Sequence, residues 1–149
     1  MIVSENISLR ESIRSQTAQR RGIDNYPSEE VLSAMKLTAQ KVFEPVRKHF
    51  KRPIFISSFY RSEELNLAIG GSRNSQHCKG EAIDIDCDQI NDQIFYFIKN
   101  NLIYDQLIWE FGTEIYPAWV HVSYTQERNN RMQTLKAIRS NGKVLYQNL

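Results

Sequence analysis

The chain has 149 residues, of which 41% are hydrophobic and 24% are charged, and its formal net charge is +2 at pH 7. This composition is typical of a single globular domain, here residues 1–149, that is large enough to bury a core. The near-neutral charge and the scattered basic residues exclude the usual electrostatic signature of nucleic-acid or anionic-membrane binding. No apolar run reaches the length of a membrane span. We expect a monomer that binds neither nucleic acid nor a membrane.

The first residues lack the basic segment and apolar stretch of a signal peptide, so we expect the chain to be cytoplasmic as synthesised. Cys78 and Cys87 are the two cysteines. Two cysteines are too few for the disulfide framework of a small secreted domain, and we expect free thiols that pack as small hydrophobic side chains. A thiolate ligand in place of Asp84, in the metal site described below, is the alternative.

The N-terminal third of the chain carries helical signals. Ser8 and Glu11 fit a capping box for a short helix over 8–16, and 17–27 is expected to be an ordered connection. A longer helix is predicted to start after Ser28, with Pro45 expected to kink it. His49 near its end is expected to lie at the surface rather than to bind a metal. The apolar stripe of this helix comprises Val31, Met35, Ala39, Val42, Val46 and Phe50.

The rest of the chain alternates short strands with two further helices. Strands are predicted over 53–59, 81–87, 106–111 and 119–124, and helices over 62–68 and 89–101. A terminal hairpin, 132–138 with 143–146, is predicted because Asn141-Gly142 is a strong turn signal. The predicted class is therefore α+β, a small and mainly antiparallel sheet with helices packed on one face.

The stretch from Ser57 to Asp86 contains the residues best suited to chemistry. It includes the Gly70-Gly71 pair, then His77 on a loop, and then Asp84 on the following strand. Side chains alternate along a strand, so the apolar Ile83 and Ile85 must face the helices. Asp84 and Asp86 are then expected to face an open cleft.

Strand alternation also brings two later residues to this cleft. Glu110 and His121 can share one face with Asp84, and His77 can reach that face from the loop. Two imidazoles and one carboxylate suit a catalytic zinc ion, which keeps one position open for water. Glu110 would then be the spare carboxylate that accepts a proton. Each residue alone also has a purely structural interpretation, such as a hydrogen-bonded core histidine or a solvated strand carboxylate, so the hypothesis rests on their joint placement.

The motif S-S-F-Y-R-S-x3-N-x3-G-G-S-x2-S-Q-H-x2-G-x-A-x-D-I, followed by W-V-H-V-S, resembles the zinc D-Ala-D-Ala carboxypeptidases. Phage cell-wall endopeptidases and the zinc fold of hedgehog domains are related to that family. The resemblance covers about residues 8 to 125 and implies a hedgehog/DD-peptidase-like zinc fold.

The resemblance implies a role for each matching residue. The zinc ligands of the family fall on His77, Asp84 and His121. Its substrate-binding serine falls on Ser75, and the arginine that grips the substrate carboxylate falls on Arg61, as guanidinium chemistry favours.

The catalytic base is where this chain departs from parts of the family. Some relatives have a glutamate three residues before the last histidine, and the matching residue here is Ala118. Others have a histidine five residues before it, and the matching residue here is Tyr116. Glu110 matches the hedgehog-like placement instead.

The resemblance implies a zinc metallopeptidase that hydrolyses a peptidoglycan stem-peptide bond next to a D-amino acid, in the manner of a carboxypeptidase or an endolysin. Release through a membrane pore, as in phage lysis, would bring a cytoplasmic product to the cell wall. One alternative is a non-catalytic, zinc-stabilised module that binds cell-wall peptide or a protein partner. Another is a cytoplasmic dipeptidase for free D-Ala-D-Ala, although that group uses the glutamate that is missing at position 118.

Overall fold

The computed structural model describes residues 1–149 and contains eight strands. They are β1 (Ile2–Ser4), β2 (Ile7–Ser8), β3 (Ile56–Ser58), β4 (Ala82–Ile85), β5 (Gln106–Glu110), β6 (Trp119–Ser123), β7 (Gln133–Ser140) and β8 (Lys143–Asn148). Strands β1 and β2 pair with each other, and the other six form one sheet in the order β3-β4-β6-β5-β7-β8. Neighbours in this sheet are antiparallel except β5 and β7, which are parallel.

Six α-helices accompany the sheet. They are α1 (Leu9–Ser12), α2 (Gln16–Arg21), α3 (Glu29–Thr38), α4 (Glu44–Phe50), α5 (Glu63–Ala68) and α6 (Asn91–Asn101). A π-helical segment (Ala39–Phe43) joins α3 to α4, and short 3₁₀ turns cover Gln76–Lys79 and Asp88–Ile90. None of the helices combines the length and the apolar character that crossing a membrane requires.

The hydrophobic core lies between one face of the sheet and helices α3, α4 and α6. On the sheet side it contains the alternate, inward-facing residues of the central strands; on the helix side it contains the predicted apolar stripe. The main buried side chains are Met35, Val42, Phe43, Val46, Ile83, Ile85, Ile94, Phe95, Ile98, Leu107, Trp109, Val120 and Val122. This arrangement confirms the predicted α+β class.

The region after the first helix differs from the sequence prediction. Residues 16–21 form α2, although the sequence predicts that 17–21 belong to a connection and residue 16 to the preceding helix. The Ser15 side chain accepts a hydrogen bond from the Ala18 amide, and Gly22 ends the helix in the left-handed conformation at φ 64°. The segment therefore carries its own start and stop signals, an N-cap serine and a C-terminal glycine, although it lacks a marked apolar stripe.

The long second helix is interrupted, as Pro45 predicts, but the irregularity precedes the proline. Five residues, Ala39–Phe43, adopt π-helical pairing, and Pro45 falls in the first turn of α4. Residues in the first turn of a helix have no intrahelical partner for their backbone amides, so a proline there removes no hydrogen bond. The π-helical segment ends α3 and starts a new helix at Glu44, which places Pro45 in such a first turn.

The four internal strands are all shorter in the structure than predicted, and at one of them this changes the position of a carboxylate. Strand β3 covers Ile56–Ser58 rather than 53–59, and β4 ends at Ile85. The prediction that Asp86 faces the cleft is wrong: its Oδ1 accepts hydrogen bonds from Asn91 Nδ2 and the Asp88 amide, each at 3.0 Å. Because Asp86 lies beyond the strand, the alternation of side chains no longer governs its direction.

The C-terminal hairpin forms as predicted and adds two strands to the main sheet. Strand β7 pairs in parallel with β5, in a register that places Ile108 opposite Leu135 and Glu110 opposite Ala137. Because β6 is antiparallel to β5 and β7 is parallel to it, the end of β6 and the start of β7 lie at the same end of the sheet, on opposite sides of β5. The chain must therefore cross over the start of β5 between them. The crossover is made by residues 124–132.

Asp105 anchors this crossover. The residue is fully buried, and its carboxylate accepts two hydrogen bonds from the Arg128 guanidinium, at 2.7 and 3.0 Å. The Arg131 guanidinium donates two more, at 3.1 and 2.7 Å, and its backbone amide donates at 3.0 Å. Burial alone would raise the pKa of Asp105, but the hydrogen bonds from Arg128 and Arg131 outweigh it and hold the pKa well below the usual range of an aspartate.

We predict that Asp105→Ala lowers the free energy of unfolding at pH 7 by about 3 kcal/mol, near the low end for breaking a buried ion pair because both arginines are half exposed. Because the folded-state pKa is depressed, this stabilisation is complete above the unfolded pKa of about 4 and is lost as pH falls through the folded value. Urea unfolding at pH 7 measures the loss of stability, and a series from pH 7 down to pH 2 follows the decline of the stabilisation, which begins below about pH 4.

Glu114→Gln is the matched control for this prediction. Glu114 pairs with Lys136 at 2.7 Å, but its side chain is 90% exposed, so the change should be nearly neutral. A loss for Asp105→Ala as small as that of the control would contradict the anchoring role.

Candidate metal centre and cleft

The Asp84 carboxylate lies between two imidazole rings on the face of the sheet opposite the core. Asp84 is directly opposite His121 in the pairing of β4 with β6. Its Oδ1 is 3.0 Å from His121 Nδ1, and its Oδ2 is 3.3 Å from His77 Nε2. The sequence prediction that these three side chains converge is therefore confirmed geometrically.

The backbone around His77 fixes the direction of its ring. His77 lies in the 3₁₀ turn Gln76–Lys79, whose N-cap Ser75 accepts a hydrogen bond from the His77 amide. The turn ends at Gly80 with φ +72°, where a Cβ atom would come within 2.6 Å of Met35 Cγ and 2.8 Å of the Val31 carbonyl oxygen. Only glycine fits this close approach to α3 without displacement.

The other ring nitrogen of His77 determines its tautomer. Nδ1 is 2.6 Å from the Phe59 carbonyl oxygen. A carbonyl can only accept, so Nδ1 carries the proton and Nε2 presents its lone pair toward Asp84. Such a backbone acceptor behind a histidine is a common orienting contact in metal sites.

The electrostatics of His77 and Asp84 favour the forms that bind metals. Burial lowers the pKa of His77 and outweighs the opposing effect of Asp84, so the imidazole stays neutral. Burial alone would raise the pKa of Asp84, but the adjacent His77 and His121 hold it well below the ordinary value. A neutral imidazole and an ionised carboxylate are the species that ligate a divalent cation.

The separations of these donor atoms fit one small cation. The three ligand atoms lie within 4.8 Å of one another. Ligands held about 2.0–2.1 Å from a tetrahedral ion are about 3.3 Å apart. The contacts of the two Asp84 oxygens are of that size, 3.0 Å from Oδ1 to His121 Nδ1 and 3.3 Å from Oδ2 to His77 Nε2. Nitrogen and oxygen donors in this ratio suit zinc, and three protein ligands would leave one position open.

Glu110 ends strand β5 on the same face. It is 8% exposed, and it is diagonal to His121 across the β5–β6 pair, in which Ile108 is directly opposite that histidine. Burial raises the pKa of Glu110 to about 7; His121 opposes this rise and Asp84 adds to it. A carboxylate with a pKa near neutrality can both accept and return a proton at physiological pH.

The turn after β5 holds Glu110 at the strand end. Phe111 and Gly112 both have positive φ, 53° and 75°, and a Cβ atom on Gly112 would come within 2.5 Å of the Ala118 amide nitrogen. The Ala118 amide donates to the Glu110 carbonyl at 2.9 Å. This tight turn is why Ala118 and Tyr116, the two alternative positions for the base, belong to the loop rather than to the strand face.

The two predicted substrate residues line the same cleft as the three candidate ligands. Arg61 approaches His77 through its backbone, whose amide donates to the His77 carbonyl at 3.3 Å. Its side-chain Nε is buried and has no hydrogen-bond partner in the protein. The Ser75 hydroxyl accepts the hydrogen bond from the His77 amide that caps the 3₁₀ turn. In the structure, Ser75 therefore helps to position His77.

The cleft has a volume of about 670 Å³ and includes a wall that the sequence analysis missed. This wall comes from the hairpin β7–β8 and contains Leu135, Arg139, Val144 and Tyr146. Partial burial raises the pKa of Tyr146, and Glu110 and Asp84 raise it further, which reflects their proximity. The alternation of side chains along β7 could have shown that Leu135 and Arg139 share a face. Only the pairing of β5 with β7 shows that this is the face that carries Glu110.

The remaining candidate ligands lie elsewhere. Cys78 and Cys87 are free thiols, as predicted, and neither belongs to the group of candidate metal ligands. Burial raises the pKa of both, which disfavours the thiolate form that binds metals. His49 is exposed and stacks on Phe97 with ring centroids 4.2 Å apart, away from the cleft, as its predicted surface position requires.

Known proteins give an independent view of this chain. The protein-family model described as Peptidase M15 matches residues 5–123. No curated protein was found to match the chain. The matched residues include all three candidate ligands and Glu110, and they cover well over half of the sequence. The chain therefore belongs to the Peptidase M15 family of zinc-dependent peptidases.

Proposed function

We propose that this protein is a zinc peptidase that hydrolyses a peptidoglycan stem-peptide bond next to a D-amino acid, as a D-Ala-D-Ala carboxypeptidase or an endolysin does. The observation that carries the proposal is the shared position of Glu110 and the His77–Asp84–His121 group on one cleft face. Since the substrate lies in the cell wall, the proposal requires that the protein reach the wall, as it would in phage lysis.

His77, Asp84 and His121 would hold one zinc ion. A bound zinc ion supplies Lewis acidity, which polarises a carbonyl group and makes water easier to deprotonate. Glu110 would accept the proton of the attacking water and return it to the amine that leaves when the peptide bond breaks. A pKa near 7 suits both transfers, because the same group must act first as a base and then as an acid.

Arg61 would bind a substrate carboxylate. Its unpartnered, buried Nε provides a hydrogen-bond donor beside the cleft, and guanidinium and carboxylate groups pair bidentately. Ser75 would contribute through its position before His77 and its place on the cleft wall.

We predict that His121→Ala weakens zinc binding by more than about 100-fold, because it removes one of three protein ligands rather than a supporting contact. Hydrolysis of purified peptidoglycan should disappear with the metal. Isothermal titration with zinc and mass spectrometry of the released fragments measure the two effects.

His49→Ala is the matched control for ligand loss, because this histidine is exposed and outside the cleft. It should bind zinc and cleave peptidoglycan as the unaltered protein does. Zinc binding by His121→Ala with unchanged affinity would show that the ligand set is wrong.

We predict that Glu110→Gln retains zinc but lowers kcat by at least about 100-fold, as expected for the loss of a general base. The amide has nearly the same shape as the carboxyl group, but it cannot accept the proton. Metal analysis and fragment release, measured on the same sample, separate the two properties.

The result also distinguishes the proposed enzyme from a zinc-stabilised binding module. A binding module would hold cell-wall peptide equally well before and after the Glu110→Gln substitution, and neither form would turn it over. Full activity in Glu110→Gln would instead assign the base to a different group.

A further inference from the structure

The hairpin β7–β8 lies beyond the family-matched residues 5–123, yet it forms one side of the catalytic cleft. Along β7, Leu135, Ala137 and Arg139 share the face that carries Glu110, because Glu110 is opposite Ala137 in the parallel pairing with β5. Tyr146 of β8 is in turn opposite Ala137. The residues Trp119, Glu110, Ala137 and Tyr146 therefore form one row across four adjacent strands.

The hairpin residues that line the cleft are partly apolar and partly polar. Ala137 is fully buried between Glu110 and Tyr146, so neighbouring side chains cover it, and the apolar lining that the hairpin gives the cleft comes from Leu135 and Val144. Tyr146 is 57% exposed, which leaves its hydroxyl group accessible from the cleft. The hairpin thus offers a hydrogen-bonding group beside an apolar lining, next to the proposed base.

Arg139 gives this part of the cleft its charge. Its guanidinium carbon lies 4.7 Å from the centroid of the Phe111 ring, and the side chain forms no salt bridge in the structure. Arg131, which also lines the cleft, is different because Asp105 occupies its guanidinium. Stacking on an aromatic ring orients a guanidinium while leaving its edge free to bind a carboxylate.

Arg139 and Arg61 lie on opposite sides of the candidate metal ligands. In the sheet order, β3 and the segment after it, which carries Arg61, lie on one side of β4 and β6, whereas β7 and β8 lie on the other. Leu135 is level with His121, and Arg139 lies four residues further along β7, so two strand spacings and this offset separate the backbones of His121 and Arg139 by about 16 Å. The Arg139 side chain, which extends to the Phe111 ring next to β5, covers about 6 Å of this distance. An extended peptide advances about 3.3 Å per residue, so a ligand needs about three residues to span the remaining gap of about 10 Å from the metal site to the Arg139 guanidinium.

We propose that Arg139 and Tyr146 form an acidic subsite, which binds a free carboxylate about three residues from the bond that is cleaved. The proposal rests on the proposed peptidase function and specifies its substrate as an anionic oligopeptide rather than a free dipeptide. Arg139 supplies the bidentate charge interaction, and the Tyr146 hydroxyl donates a further hydrogen bond.

The test uses two synthetic stem peptides that differ in one group. One is L-Ala-γ-D-Glu-L-Lys-D-Ala-D-Ala, and the other carries D-isoglutamine in place of D-glutamate, which removes that carboxylate. Binding is measured by isothermal titration to the zinc-loaded Glu110→Gln protein, in which turnover is suppressed. The free acid should bind about tenfold more tightly, as expected for a partly exposed charged hydrogen bond.

Arg139→Ala in the same background should abolish this difference while leaving zinc content unchanged, and Tyr146→Phe should reduce it in part. Arg20→Ala, which alters an exposed arginine of α2, should preserve it. In the protein that retains Glu110, Arg139→Ala should raise KM for the free acid about tenfold and leave kcat nearly unchanged, because the subsite contributes binding rather than chemistry.

Equal binding of the two peptides, or an equal loss for both in Arg139→Ala, would overturn the acidic subsite. Because binding is measured without turnover, this outcome is separate from failure of the peptidase function, which would appear as an absence of zinc-dependent cleavage of either peptide. A tenfold preference that Arg139→Ala removes would support the subsite in either case.

Discussion

The position of Asp84 between His77 and His121 is the constraint on which the site depends. A carboxylate among buried groups is costly unless charged or hydrogen-bonding partners compensate for the loss of water. Asp84 obtains one partner from the neighbouring strand by direct cross-strand pairing. It obtains the other from a short 3₁₀ turn, whose histidine is oriented by the Phe59 carbonyl. The site is therefore held by backbone geometry on three sides, and its donor atoms converge before any ligand is added.

The same sheet connects this centre to more distant features. Gln76, next to His77, donates a hydrogen bond to Asp105 at 3.1 Å and another to Glu81 at 3.3 Å. Asp105 also holds the crossover that brings β7 beside β5. The turn that carries a candidate metal ligand and the crossover that places the hairpin wall thus share one buried carboxylate. This common anchor gives a physical reason for the hairpin to keep a fixed position relative to the face that carries the candidate metal ligands.

Much of the site follows from local rules, and the sequence predicts those parts well. Alternation along strands placed Asp84, Glu110 and His121 on one face because the apolar residues between them must meet the helices. The rule failed for Asp86, where the strand ends one residue earlier and Asn91 supplies a hydrogen-bond partner. It also could not locate Arg139 or Tyr146, because their approach to Glu110 depends on a parallel pairing between distant segments. The local sequence pattern specifies which residues of one strand share a face. The pairing of strands that are distant in sequence decides which residues of different strands lie side by side.

X-ray absorption at the zinc edge tests the central claim most directly. The zinc-loaded protein should show a first shell of nitrogen and oxygen atoms only, at about 2.0–2.1 Å, with the outer-shell scattering of two imidazole rings. A sulfur neighbour at about 2.3 Å would identify a cysteine ligand and contradict the assignment of His77, Asp84 and His121. A shell with fewer than two imidazoles would contradict it equally.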